Sequence, residues 1–340
     1  MKRRKFIKLS AISAAGLVLP VQMGCSAPFV KLEGQTEAEQ LLKPSTFVTP
    51  NADFYVLQIG DPAKLDGNAW RMAIVPTLIE KRILPLQLKD ITAMESVTVT
   101  RTLKCIGDPI GTEQMSNAEW KGARLRDLLE KVGPKPEAKV VVFRCADGYH
   151  TAIPLEDAMR EDTLLAYEMN GVPLPTEHGF PVRLLNPGHY GTKNPKWIMS
   201  IQLAEEHESY WEKRGWDPIA NVKLATVIGT PSEGENITGG KVYTVSGAAF
   251  DAGNHGGIKK VEVSIDYGQT WEEAEIWAQD TPLAWVLWKW EWQVPEKAEP
   301  VEIYARATAN SGLTQDEIGI EADPVGATGY HIIDASIVVA

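Results

Sequence analysis

Cysteine is scarce, with three in 340 residues: Cys25, Cys105 and Cys145. No Cys-x-x-Cys pair occurs, which excludes a c-type haem attachment and a zinc knuckle. A chain this long buries about 75% of its unfolded surface and needs no disulfide scaffold. Basic charge is also short, at 34 Lys and Arg against 45 Asp and Glu, a net of −11. Five of the basic residues (Lys2, Arg3, Arg4, Lys5, Lys8) fall in the first 25 positions, which hold no acid; the rest has 29 against 45, a net of −16. So acidic a body repels phosphate backbones, which excludes nucleic acid as a partner and suits a basic protein instead. Long apolar runs are missing too. Leu9 to Gly24 is uncharged for only sixteen residues and contains Ser, Gly and Pro, whereas a bilayer span needs about 20 apolar residues. Repeats and low-complexity tracts are absent. What is present, 44% hydrophobic and 23% charged residues, is ordinary globular composition, and the length suggests two domains of about 150 residues.

Residues 1–25 read as an export leader, with the paired Arg3-Arg4 before Phe-Ile-Lys resembling the twin-arginine type. That places the protein in the periplasm or otherwise outside the cytoplasm. The Gly24-Cys25 step offers a lipidation site, although Gln22 and Met23 fit that pattern poorly. Residues 26–45 read as a flexible lead-in and 46–217 as a mixed domain. There Val97, Val99, Arg101, Leu103 and Cys105 alternate with polar residues as a strand, and Leu125, Leu128, Leu129 and Val132 recur at helical spacing before Gly133-Pro134. From 222 to 340 the pattern is strands alone. Val261/Val263/Ile265, Trp288/Trp290/Trp292 and Val301/Ile303/Ala305/Ala307 predict an antiparallel sandwich. The boundary falls at 217–221. Cys105 and Cys145 admit two readings, a disulfide or a lone Cys105 thiolate offered to a soft metal.

The segments Arg101-Thr-Leu-Lys-Cys105-Ile-Gly, Ala118-Glu-Trp-Lys-Gly-Ala-Arg-Leu-Arg-Asp-Leu-Leu129 and Leu164 to Arg183 resemble the molybdenum-binding part of the sulfite oxidase family. Val261 to Trp271 and Ala305-Arg-Ala307 resemble that family's immunoglobulin-like dimerisation domain. The resemblance implies an α+β chain: a mixed α/β molybdopterin domain followed by an immunoglobulin-like β-sandwich, from an exported bacterial oxidoreductase. It implies molybdenum-molybdopterin as cofactor, with the Cys105 thiolate on the metal, and no haem in this chain. Tyr55, Asp147, His178, Arg183, Asn194, Pro195 and Lys196 fall on cofactor-contacting positions. Read without the resemblance, Arg183 is rather a surface ion-pair partner, and His178 a helix cap or core histidine. Homodimerisation and a separate one-electron acceptor such as a c-type cytochrome follow from the same likeness.

The sequence departs from the family where sulfite would bind. In Tyr55-Val56-Leu57-Gln58-Ile59, Leu57 stands where the family has an arginine and Ile59 where it has a histidine; Ile110 replaces a second arginine. Trp216 aligns with a catalytic tyrosine. A pocket lined by Leu57, Ile110 and Trp216 favours a less charged substrate, with His189 and Tyr190 as the polar groups expected to face the metal. The expectation is two-electron oxygen-atom transfer on a small molecule, with sulfite still open. An oxide reductase running in the opposite direction, and an exported binding protein without activity, are the alternatives.

Overall fold

A computed structural model describes residues 44–111 and 114–339. The expected export leader, the expected lipidation site at Cys25 and most of the lead-in to residue 45 lie outside the described residues. No helix among those described is long and apolar enough to cross a membrane.

The first half is built on two sheets rather than on helices. One runs Ala73–Val75, Ile198–Ala204, Val140–Cys145, His150–Pro154; the other runs Ser96–Lys104, Met115–Arg124, Leu164–Met169, Val172–Pro173, with Arg183–Leu185 also on Leu164–Met169. Ser96–Lys104 forms where the alternation predicted it. Close pairing is possible because Gly122 has no side chain: a Cβ there would lie 2.5 Å from the Leu165 carbonyl oxygen. The helix Leu125–Val132 buries Leu125, Leu128, Leu129 and Val132 against Phe143, Ile153 and Ile201. Gly133, at φ 66°, stops it.

The second half is the expected sandwich. Its four-stranded sheet runs Ala225–Thr230, Val242–Phe250, Val286–Gln293, Glu275–Ala278; the five-stranded one runs Glu235–Thr238, His331–Val338, Glu299–Ala309, Ile258–Ser264, Glu272–Glu273. Trp288, Trp290 and Trp292 fill the space between them with Val261, Ile303 and Ala305. One pairing differs from the antiparallel expectation, since Glu235–Thr238 lies parallel to His331–Val338. Strands so far apart in sequence are joined by no hairpin, so nothing forces them antiparallel.

The two halves are sewn together. Thr102 N–H donates to the Leu283 carbonyl at 3.1 Å, Trp285 N–H donates to Thr102 Oγ1 at 2.8 Å, and the Trp285 indole donates to the Phe47 carbonyl at 2.9 Å. The connection itself is pinned rather than loose. Asp217 caps the amides of Ile219 and Ala220, and Tyr190 N–H donates to the Ala220 carbonyl.

Candidate active site

Cys105 follows directly on Ser96–Lys104, where the strand gives way to a turn, and is buried with 7% exposure. It opens into a cavity. Cys145 ends a strand of the other sheet, and both cysteines are free thiols, so the disulfide reading is corrected. Burial pushes the Cys105 thiol up, while the Gly107 and Asp108 amides donating toward its sulfur oppose that; the Asp108 charge raises it and Lys104 lowers it. Lys104 and Asp108 form a buried ion pair with each other.

Each expected cofactor contact reaches this one cavity: Tyr55, Asp147, His178, Arg183, Asn194, Pro195 and Lys196 line it together with Cys105. They converge because the loops after several strands end on one side, as ligand sites in sheet proteins do. Arg183 lies 5.0 Å over the Trp120 ring and donates through Nη1 to the His178 carbonyl and through Nη2 to the Asn194 carbonyl. Its Nε is buried without a partner among the described residues. Burial pushes Arg183 down to about 10, offset by Tyr55. Lys196 Nζ donates to Gln58 Oε1 at 3.0 Å and to the Glu177 carbonyl at 2.7 Å. Burial, then the charge of Arg183, pushes it down to about 7. His178 bonds the Asn51 carbonyl through Nε2 at 2.9 Å and packs edge-on to Phe54. Two desolvated cations facing one cavity, one with an unused donor, make a cradle for an anionic ligand. A phosphate-bearing pterin dithiolene fits that donor set, with the soft thiolate of Cys105 at its metal end.

The Lys196 shift has a consequence for stability. An unfolded lysine titrates near about 10.4, so between about 7 and about 10 the unfolded chain holds a proton that folded Lys196 has released. Stability of the cofactor-free protein is therefore expected to rise with pH across that window. Unfolding midpoints measured against pH should show this slope, and Lys196→Met should flatten it; an unchanged slope would assign it elsewhere.

Three expected residues are not placed on the cavity. His189 bonds the Ile219 carbonyl through Nδ1 at 2.9 Å and Asp157 through Nε2 at 3.2 Å, so both ring nitrogens are committed. Tyr190 is fully buried between the halves and accepts from Lys223 N–H at 3.2 Å. Gly191 and Thr192, next along the chain, do line the cavity. Ile110 is the third. Its Cδ1 lies 2.7 Å from where a Cβ on Gly319 would sit and 2.8 Å from one on Gly329, so it packs into the connection between the last two strands. Ile110→Arg is accordingly expected to cost about 1–3 kcal/mol of stability, measured by urea unfolding. Sulfite affinity should not change with it.

Leu57 and Trp216 do line the cavity. A Cβ on Gly107 would lie 3.4 Å from the Trp216 ring and 4.0 Å from Cys105 Sγ, which sets this indole beside the thiol. Trp211, which the sequence reading passed over, meets Trp216 edge-on at 6.3 Å because Gly215 (φ 91°) folds the chain back between them. Gln58, Thr192 and Tyr149 also line the cavity, Tyr149 fixed by donating to the Thr192 carbonyl at 2.6 Å. The one signal for them was adjacency in sequence to residues already singled out.

A two-sheet domain with a buried thiol and an anion cradle on one cavity, followed by a sandwich, defines a class of protein built to hold an anionic, thiol-ligated group. Residues 59–211 match the family model for the oxidoreductase molybdopterin binding domain, and residues 217–322 that for the Mo-co oxidoreductase dimerisation domain. The chain belongs to the sulfite oxidase family of molybdopterin oxidoreductases. It is 31% identical over 321 residues to mitochondrial sulfite oxidase of Mus musculus, covering 80% of this chain and 58% of that one. It is 29% identical over 332 residues to a nitrate reductase [NAD(P)H] of Hordeum vulgare, covering 80% and 37%. An uncharacterised oxidoreductase of Bacillus subtilis is 34% identical over 196 residues, 56% of this chain and 95% of the other. The chain thus spans about 58% of the length of the mouse sulfite oxidase it matches. The crystal structure of the sulfane dehydrogenase SoxCD from Paracoccus pantotrophus superposes with a TM-score of 0.75 at 23% identity, over 87% of this chain and 84% of that one, a likeness of fold.

Proposed function

We propose that the cavity holds molybdopterin and that the protein moves an oxygen atom and two electrons between water and a small substrate less charged than sulfite. The observation that carries this is the wall around Cys105. Trp216 stands beside Cys105, Trp211 and Leu57 line the same cavity, and its cations Arg183 and Lys196 are already tied to backbone carbonyls. Names among the relatives include sulfite, nitrate and sulfane chemistry, so substrate differs across the family and the pocket must choose it. Molybdenum-molybdopterin supplies the two-electron redox chemistry and the oxygen transfer when bound.

The chain's own residues bind and shape. Arg183 and Lys196 neutralise the cofactor's anionic tail, and Lys196 takes up a proton as it does so above about pH 7. Asp147, whose Oδ1 accepts from Tyr149 N–H, keeps a second oxygen for the pterin's N–H groups. Burial holds the Tyr55 hydroxyl well above its usual range, so it stays a neutral donor. Trp211 and Trp216 keep water from the thiolate side. The acidic surface supports electron exchange with a basic one-electron acceptor, the C-terminal match supports a homodimer, and the leader supports export after folding.

The test uses protein carrying a full complement of molybdenum, assayed for sulfite-dependent reduction of ferricyanide. Neutral sulfoxides and N-oxides with a reduced dye follow. Weak sulfite turnover with efficient turnover of a neutral compound is expected. Saturable turnover at micromolar sulfite would overturn the substrate assignment, and folded protein isolated without molybdenum would overturn the cofactor assignment.

A further inference from the structure

A second cavity lies where Ser96–Lys104 meets the sandwich. It is bordered by Arg101 and Asn186, 3% and 2% exposed, and by the apolar side chains of Leu185, Phe250 and Leu283. Arg101 Nε and Nη1, and both side-chain polar atoms of Asn186, have no hydrogen-bond partner among the described residues. Neighbouring polar groups are already committed. Thr102 Oγ1 donates to Asn117 Oδ1 and accepts from Trp285 N–H; Asn194 Nδ2 donates to the His189 and Tyr190 carbonyls, and its Oδ1 accepts from Asn186 N–H. No carboxylate borders the cavity. The free space is no larger than a single water needs, so a monatomic anion there requires the flanking side chains to give slightly.

A buried cation with unused donors and no carboxylate on its cavity wall is costly, and an anion in contact with it lowers that cost. Burial pushes Arg101 down only to about 10, with Asp162 acting the other way, so the guanidinium stays charged at neutral pH. We propose that this cavity is a binding site for a monatomic anion, chloride, held by Arg101 Nε and Nη1 and by the Asn186 side-chain amide. Water in its place would satisfy donors without answering the charge. The ion would steady the strand whose next residue, Thr102, anchors Leu283 and Trp285 of the sandwich. The site is separate from the proposed cofactor cavity, although Leu103 and Asn194 border both.

The full chain, loaded with its cofactor, is to be unfolded thermally in sodium chloride, sodium bromide or sodium gluconate at one ionic strength. Chloride and bromide are expected to raise the midpoint by about 2–4 °C per tenfold of halide above the dissociation constant. Gluconate is too large to enter and should not. Crystals soaked in bromide should give an anomalous peak between Arg101 and Asn186. Asn186→Asp brings its own carboxylate to Arg101 and should remove the halide response; should that variant fail to fold, the bromide soak of the unaltered protein still decides. Equal midpoints in chloride and gluconate, an undiminished halide response in folded Asn186→Asp, or a water with no bromide signal would each overturn the site.

Discussion

Cys105→Ser is expected to lower turnover by more than about a thousandfold while the protein stays folded. Changes one shell away from a bound metal already cost about 10–100-fold, and a hydroxyl in place of the thiolate removes the soft donor itself. The fold should survive because Cys105 contributes little to the cores. It lies on the cavity wall, and its N–H still reaches the Gln114 carbonyl. Circular dichroism and pterin content measured beside steady-state rates would separate chemistry from folding. Undiminished turnover would remove Cys105 from the metal.

The second large effect is a change of preference. Leu57 is 53% exposed at the cavity and has room for a longer side chain. Leu57→Arg is expected to lower the KM for sulfite about tenfold to a hundredfold, the worth of one charge-assisted hydrogen bond at about 1.5–3 kcal/mol. It should raise the KM of neutral substrates at the same time. Steady-state kinetics with both classes give the readout, and parallel shifts in both would show that position 57 does not select charge.

Regular elements were legible wherever the pattern repeats. The leucines of the helix Leu125–Val132 and the three tryptophans of Val286–Gln293 each mark a buried face, and the alternation from Val97 to Leu103 located its strand although Arg101, Thr102 and Lys104 are buried there as well. Cofactor-facing residues were legible for another reason. Tyr55, Asp147, His178, Arg183 and Asn194–Lys196 sit in stretches whose resemblance to a known family places them, and they line one cavity. What failed was direction within loops. His189 and Tyr190 are turned from the cavity by partners distant in sequence: both nitrogens of His189 are claimed by Ile219 and Asp157, and the buried Tyr190 hydroxyl accepts from Lys223 N–H. Ile110 failed similarly, since its neighbours Gly319 and Gly329 belong to the other half of the chain. The parallel pairing of Glu235–Thr238 with His331–Val338 is set by the closing of the sheets, which no local pattern records.

The seat of Ile110 between Gly319 and Gly329 bears on how such a chain could diverge from an ancestor with arginine at that place. The two glycines leave no volume for a Cβ beside Ile110, so the head of a long charged side chain could not pack where the isoleucine does. Position 110 and the glycines at 319 and 329 are thus sterically coupled, and a larger group at any one of them must displace the others. In an alignment of descendants, 110, 319 and 329 should change together, as a single character.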